Sequence, residues 1–191
     1  MHSAGWSGNV RCIHGFPTIG KSGRDRFQRL DVSAACTMLT LVVTSLAFAA
    51  GAAIPPRYTC KGENLSPPLA WSGAPAGTRC FAILVDDPDA PGGDWVHWLL
   101  FNLPASVERL DAGVPHSFKL SSGAIQGIND FGTAGYGGPC PPPGQTHRYV
   151  FHVYALDAEL PLKSAARKSD LLHAMEGHIV AQGTLTATFL R

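Results

Sequence analysis

Charge is scarce in this chain of 191 residues: Asp, Glu, Lys and Arg together make up 15%, against about 25% in an average soluble domain. The formal net charge is +1. No positive field therefore draws nucleic acid or an anionic membrane to the chain, and any anion it binds must be caught by a local arrangement of groups. Cysteine is sparse as well. Cys12, Cys36, Cys60, Cys80 and Cys140 are odd in number, and no two are spaced C-x-x-C. That argues against a disulfide framework or a zinc site, and for reduced structural thiols in a cytosolic protein. The H-E-x-x-H and G-x-S-x-G patterns are both missing, which removes the familiar zinc-protease and serine-hydrolase layouts. No internal repeat and no heptad pattern is present. What the chain does have is an apolar fraction of 45%, with 21 Gly and 15 Pro. Such a composition builds a real core crossed by many turns.

Residues 1–37 read differently from the rest. They are rich in Gly, Ser and Arg without a period of 2 or 3.6, so a poorly ordered N-terminal extension is expected ahead of a domain over 38–191. This segment contains a formal P-loop match, Gly15-Phe-Pro-Thr-Ile-Gly20-Lys21-Ser22, and Phe81–Asp86 could pass for its partner strand. A working P-loop needs a buried strand before it and a helix after it, so that backbone N–H groups cradle phosphates. Asn9–Ile13 is a poor strand, Pro17 sits inside the loop, and the remaining chain lacks alternating strands and helices. A nucleotide hydrolase is not expected. Next, Ala34–Ala53 forms a nearly uncharged run after Arg24, Arg26 and Arg29. Composition alone allows a signal peptide cut near Ala47–Ala49, a membrane anchor, or the first strand of the domain, since Leu41–Thr44 is β-prone.

Beyond residue 54, turn signals recur at Pro55-Pro56, Ser66-Pro67-Pro68, Pro91-Gly92-Gly93 and Gly137-Gly138-Pro139. The runs between them read as strands: Cys80–Val85, Trp95–Leu103, Arg148–Leu156 and Thr184–Leu190. Several are apolar at both odd and even positions, which implies a sheet covered on both faces. One helix is expected from about Ser169 to Gln182. Ser169 or Asp170 would cap it, Leu172, Met175 and Ile179 would line one face, and Gly183 would end it.

Three segments carry candidate chemistry. In Asp86-Asp87-Pro88-Asp89-Ala90-Pro91 a strand delivers carboxylates to its end and prolines stiffen the chain leaving it. In Trp95-Val96-His97-Trp98, strict alternation would put His97 on one face with Trp95 and Leu99. In the third, a Gly/Pro-rich loop over Gly135–Gly144 feeds His147-Arg148-Tyr149, and its exposed N–H groups could form an anion-binding nest.

These segments resemble the two signature regions of the phosphatidylethanolamine-binding protein family, also called Raf kinase inhibitor proteins, and most of all its bacterial branch. The likeness extends over Ile54–Asn64, Ser66–Leu69 with Trp71, Asp87–Pro91, His97-Trp98, Gly127, Asn129–Gly132, His147–Tyr149 and Ala174–His178. It implies a mainly β sandwich with a large central antiparallel sheet, a smaller second sheet, and a C-terminal helix followed by a last strand. It also makes Leu39–Phe48 resemble the family's first strand, with Met38 a plausible start, while leaving export open as the alternative to a cytoplasmic location. By the same resemblance, Asp87, Pro91, Trp95, His97, Gly138, Cys140, His147 and Tyr149 form a pocket for a small anionic or phosphate-bearing ligand, with Trp98 adding to its apolar wall. The expectation is a non-enzymatic binding module without cofactor or metal, regulatory in the manner of a kinase inhibitor. Its partners would be the ligand, a kinase or protease, and a second copy in a homodimer, with no nucleic acid and no stable membrane insertion. Two alternatives stand beside it: a metal-assisted hydrolase holding its ion on His97, His147 and Asp87, and an inhibitor of proteases or kinases acting through a surface loop.

Overall fold

The computed structural model describes residues 39–191. The P-loop match, Cys12, Cys36 and the expected N-terminal extension lie outside those residues. Among the described residues, nine strands and one α-helix are arranged in chain order: β1 (Leu39–Thr40), β2 (Val42–Thr44), β3 (Leu69–Ser72), β4 (Cys80–Asp87), β5 (Trp95–Pro104), β6 (Arg109–Leu110), β7 (Ile125–Gln126), β8 (Thr146–Leu156), α1 (Lys168–Met175) and β9 (Ile179–Leu190). The large sheet has the order β1-β9-β8-β4-β5-β7 and the small one β2-β3-β6. The large sheet is antiparallel except at its edge, where β1 runs parallel to β9.

The double-sided apolar pattern is explained by two cores. Phe81, Ile83, Val85, Tyr149, Phe151 and Val153 face the small sheet, together with Trp71. Ala82, Leu84, Tyr154 and Leu156 face the other way, toward Leu171 and Met175 of α1. β4 is buried along its whole length, as a central strand covered on both faces must be. The run Leu39–Phe48 is not one strand. It changes sheets at Leu41, so β1 joins the large sheet and β2 the small one, and Leu41, Val43 and Phe48 enter the core.

The helix is shorter than its sequence pattern suggests. Arg167 occupies the capping position, and the Asp170 carboxylate accepts its backbone N–H at 2.9 Å. Gly177, with φ of 75°, ends the helix in the left-handed conformation that glycine adopts most easily. Ile179 and Gly183 therefore belong to β9, not to the helix. Gly183 sits opposite Val153, where an added Cβ would collide with the backbone carbonyl of Leu41. We expect Gly183→Ala to lower the unfolding free energy by about 3 kcal/mol, as overpacking against rigid backbone does. Urea denaturation measures this, and a negligible change would show that the β1–β2 corner yields freely.

A second correction concerns sulfur. Cys60 and Cys140 form a disulfide across a sequence separation of 80 residues, with Cα atoms 5.5 Å apart. Local spacing says nothing about such a bond, because tertiary contacts bring the two loops together. Only Cys80 is a free thiol among the described residues, and burial pushes its pKa up to about 11. A cytosolic location therefore cannot be argued from the cysteines. No helix among the described residues is long and apolar enough to cross a membrane.

Candidate functional site

Side-chain alternation sends consecutive aspartates at the end of β4 to opposite faces of the large sheet. Asp87 turns toward the small-sheet side and Asp86 toward the helix side. On β5, the register with β4 slips between Val85–Trp98 and Asp86–Val96, leaving His97 as an extra residue. Such a bulge re-aims a side chain. It corrects the strict alternation expected from the sequence: Leu99 joins the helix-side core, while His97 packs edge-on against Tyr149 and Phe131 with ring centroids 5.1 and 5.3 Å away. β8 supplies His147 from its second residue.

Asp87, Pro91, Trp95, His97, Cys140 and His147 line one cavity of about 220 Å³, joined by Ala90, Phe131, Pro141 and Pro142. Three of the expected residues are placed differently. Tyr149 lies behind His97, and its hydroxyl is buried without a hydrogen bond of full geometry. Burial, with the Asp87 charge beside it, drives its ionisation well above the ordinary range. Gly138 faces a neighbouring hollow of about 700 Å³ across Phe131 and Cys140, and its N–H donates to Asn64 Oδ1 at 2.7 Å. Trp98 is not a wall of the site at all. It is fully buried, with its indole N–H donating to Gln126 Oε1 at 2.7 Å.

The expected nest of loop N–H groups is also corrected. Gly137 N–H donates to the His97 carbonyl at 2.8 Å, and Gly144 N–H to that of Arg191 at 2.8 Å. Residues 139, 141, 142 and 143 are prolines and have no N–H to offer. The remaining amide beside the cavity, that of Cys140, is directed at the Tyr149 hydroxyl. The loop thus contributes mostly an apolar wall, and Gly137 is needed for close approach, because a Cβ there would meet the Phe131 ring.

The polar floor is a buried pair. His147 Nδ1 donates to Asp87 Oδ2 at 2.7 Å, with both side chains about 5% exposed or less. Asp87 Oδ1 accepts the Asp89 N–H at 2.9 Å, and His147 Nε2 lies 3.1 Å from Gln145 Oε1. His97 Nδ1 donates to the Gly137 carbonyl at 2.5 Å, which leaves Nε2 for the cavity that the ring lines. Burial holds His97 below the usual imidazole range, outweighing the Gly137 carbonyl and the Asp87 charge. At neutral pH its Nε2 is therefore an acceptor. Among the described residues, no three metal-binding side chains converge on one point, since the inward atoms of Asp87 and His147 are spent on each other.

Outside the cavity mouth, Arg148 grips Asp89 with two bonds, Nε–Oδ2 at 2.9 Å and Nη2–Oδ1 at 2.6 Å. These bonds hold the Asp89 carboxyl down at about 2. A carboxyl lowered in the folded state stabilises fully above the unfolded value, and that stabilisation is lost as pH falls through the folded one. The Asp89 contribution should therefore disappear between about pH 4 and pH 2. Carboxyl-carbon NMR titration checks this, and an Asp89 midpoint near the ordinary value would refute the clamp. Phe131 and Gln145 were not singled out as site residues in the sequence, whereas the prolines were expected among the apolar walls and Pro141 and Pro142 do line the cavity. Phe131 stands in the Asn129–Gly132 stretch, where Asp130 Oδ2 accepts the Val96 N–H at 2.7 Å and anchors the start of β5. Gln145 has no recognisable signal.

Residues 44–190 match the family model described as phosphatidylethanolamine-binding protein. A UPF0098 protein of Methanothermobacter thermautotrophicus is 50% identical over 138 residues, spanning 72% of this chain and 91% of that relative. The UPF0098 protein YbcL of Escherichia coli is 44% identical over 137 residues, spanning 69% of this chain and 75% of its own length. Among solved structures, E. coli YbcL, described as a new member of the mammalian PEBP family, superposes with a TM-score of 0.74 at 38% identity, covering 79% of this chain and 98% of that one. A homologue from Chlamydia trachomatis gives a TM-score of 0.73 at 39% identity, covering 80% of this chain and 98% of that one. With this sandwich and with the family match running over most of its length, the chain belongs to the phosphatidylethanolamine-binding protein family.

Proposed function

We propose that the cavity over Asp87, His97 and His147 is a binding site for a small phosphate-bearing anion, and that the protein acts as a binding module and not as a catalyst. The observation that carries this reading is the buried Asp87–His147 pair. The carboxylate accepts from Nδ1 and fixes the ring, so that Nε2 is aimed at a ligand oxygen that displaces Gln145 and shares a proton with it. His97 contributes the opposite chemistry, an accepting Nε2, which suits a phosphate oxygen that still carries a proton. Pro141, Pro142, Trp95 and Phe131 exclude water and accommodate a small organic substituent. Against catalysis, the sulfur on the wall is bonded to Cys60, so it is no nucleophile.

Few donors face the cavity, so the affinity is modest, with Kd of about 1 mM for inorganic phosphate. Titrating inorganic phosphate and phosphoethanolamine while observing the imidazole nitrogens by NMR tests the reading. Saturable shifts at both His97 and His147, with the phosphorus signal of phosphoethanolamine left intact, are expected. Unmoved rings would remove the anion site, and release of inorganic phosphate would make the protein a hydrolase.

A further inference from the structure

Phe131 is a wall of two cavities. On one side lies the site over Asp87, His97 and His147, and on the other the hollow of about 700 Å³; Cys140 also lines both. The Phe131 ring is 45% exposed, yet its neighbours hold it in place. Trp95 meets it edge-on with centroids 5.5 Å apart, and His97 does the same at 5.3 Å. The backbone of Gly137 lies so close that a Cβ there would collide with the ring. An exposed phenyl fixed in this way is apolar surface already organised for contact.

The hollow beyond it has a uniform chemistry. Among the described residues that line it, none is Asp, Glu, Lys or Arg. Phe118, 49% exposed, belongs to this lining and not to that of the anion cavity. Gly137 and Gly138 present backbone without side chains, and the Cys60–Cys140 disulfide adds polarisable sulfur. Most polar groups of the lining are engaged within the protein. Thr133 Oγ1 donates to Asn129 Oδ1 at 3.2 Å, Ser117 Oγ to the Lys119 carbonyl at 3.1 Å, and Asn64 Oδ1 accepts the Gly138 N–H. Such a surface receives an uncharged group, and phenyl rings, bare backbone and sulfur together favour a flat aromatic one.

We infer that the two cavities form one extended site, and that its ligand is a phosphate ester bearing an aromatic ring on a short linker. The inference rests on the anion reading above: the phosphate occupies the cavity at His147, the linker crosses Phe131, and the ring lies in the hollow beside Phe118. The anion cavity alone, at about 220 Å³, is smaller than the roughly 300–1,000 Å³ of sites that enclose larger organic ligands. The hollow supplies the remaining volume. Because the aromatic residues line a concavity next to an anion site, they suit one ligand with two unlike ends. Phe118 and Phe131 then select the substituent, while the Asp87–His147 pair selects the phosphate.

The test uses the full chain, observed by NMR, with methyl phosphate, phenylpropyl phosphate and hexyl phosphate as probes. Phenylpropyl phosphate should move the His147 ring signals and also give upfield ring-current shifts at Thr133 and Ala134. It should bind about tenfold more tightly than methyl phosphate, which moves His147 alone. Phe118→Ala alters an exposed side chain outside the anion cavity. It should leave methyl phosphate binding as it was and remove most of the tenfold advantage. Equal affinity for methyl and phenylpropyl phosphate, with His147 shifting for both, overturns the extended site and leaves the anion site standing. A His147 ring unmoved by any of the three overturns the anion site and the extended site together. Hexyl phosphate binding as tightly as phenylpropyl phosphate overturns the aromatic ligand class. An unchanged phenylpropyl phosphate affinity in Phe118→Ala overturns the placement of the ring.

Discussion

Reducing the Cys60–Cys140 disulfide is expected to lower the unfolding free energy by about 4 kcal/mol, a figure set by the sequence separation of 80 residues that the bond closes. The effect acts mainly on the unfolded chain, whose freedom the cross-link restricts. The folded loop has other holds. Cys60 N–H donates to the Pro139 carbonyl at 3.1 Å, Gly138 N–H to Asn64, and Tyr136 Oη to the Tyr58 carbonyl at 3.0 Å. Both cysteines are exposed, so a dithiol reductant reaches the bond under native conditions. Urea denaturation with and without reductant measures the loss, and Cys60→Ser with Cys140→Ser should reproduce it. The imidazole signals of His97 and His147 should stay close to their oxidised positions in the reduced folded protein. A loss below about 1 kcal/mol would mean that the unfolded chain is already compact around this loop.

Removing Asp87 should cost nearly as much stability and also abolish ligand binding. Asp87→Ala leaves the His147 Nδ1–H and the Asp89 N–H without their acceptor in a buried place, where breaking such a pair costs about 3 kcal/mol. It also frees the His147 ring to turn, so Nε2 is no longer aimed at the cavity. Asp87→Asn separates the two effects. It keeps the shape and one accepting oxygen but removes the charge, so it should retain most of the stability while phosphate binding weakens. If Asp87→Asn binds phosphate as well as the parent protein, the carboxylate is a structural anchor and the anion is held by other groups. Denaturation and the imidazole titration on the same samples give both answers.

The two predictions rest on groups that the sequence showed unequally. Asp87, His97 and His147 were legible because rigid Pro and Gly neighbours mark segments that hold a side chain still, and because spaced motifs in a fixed order are hard to produce by chance. The main strands were legible because β4, β5 and β8 are apolar at both parities, which a covered sheet demands. The helix was overextended, since Leu172, Met175 and Ile179 keep a helical period across the Gly177 stop. Only the left-handed φ of that glycine tells the two apart. Leu39–Phe48 read as one strand because nothing local records a change of sheet.

The sequence by itself determined the sandwich class, its central strands and the three segments that meet at the pocket, all through local pattern. Tertiary structure decided the rest, because each remaining feature depends on groups far apart in the chain. Cys60 meets Cys140 only once the loops pack. His97 faces Asp87 only because a bulge shifts β5 by one residue. Gly138 spends its N–H on Asn64, 74 residues away in sequence, which no reading of the loop alone could reveal. Asp86 and Asp87, adjacent in the chain, end on opposite faces of one sheet. That separation is a consequence of the pleat, and it leaves Asp87, not Asp86, at the anion cavity.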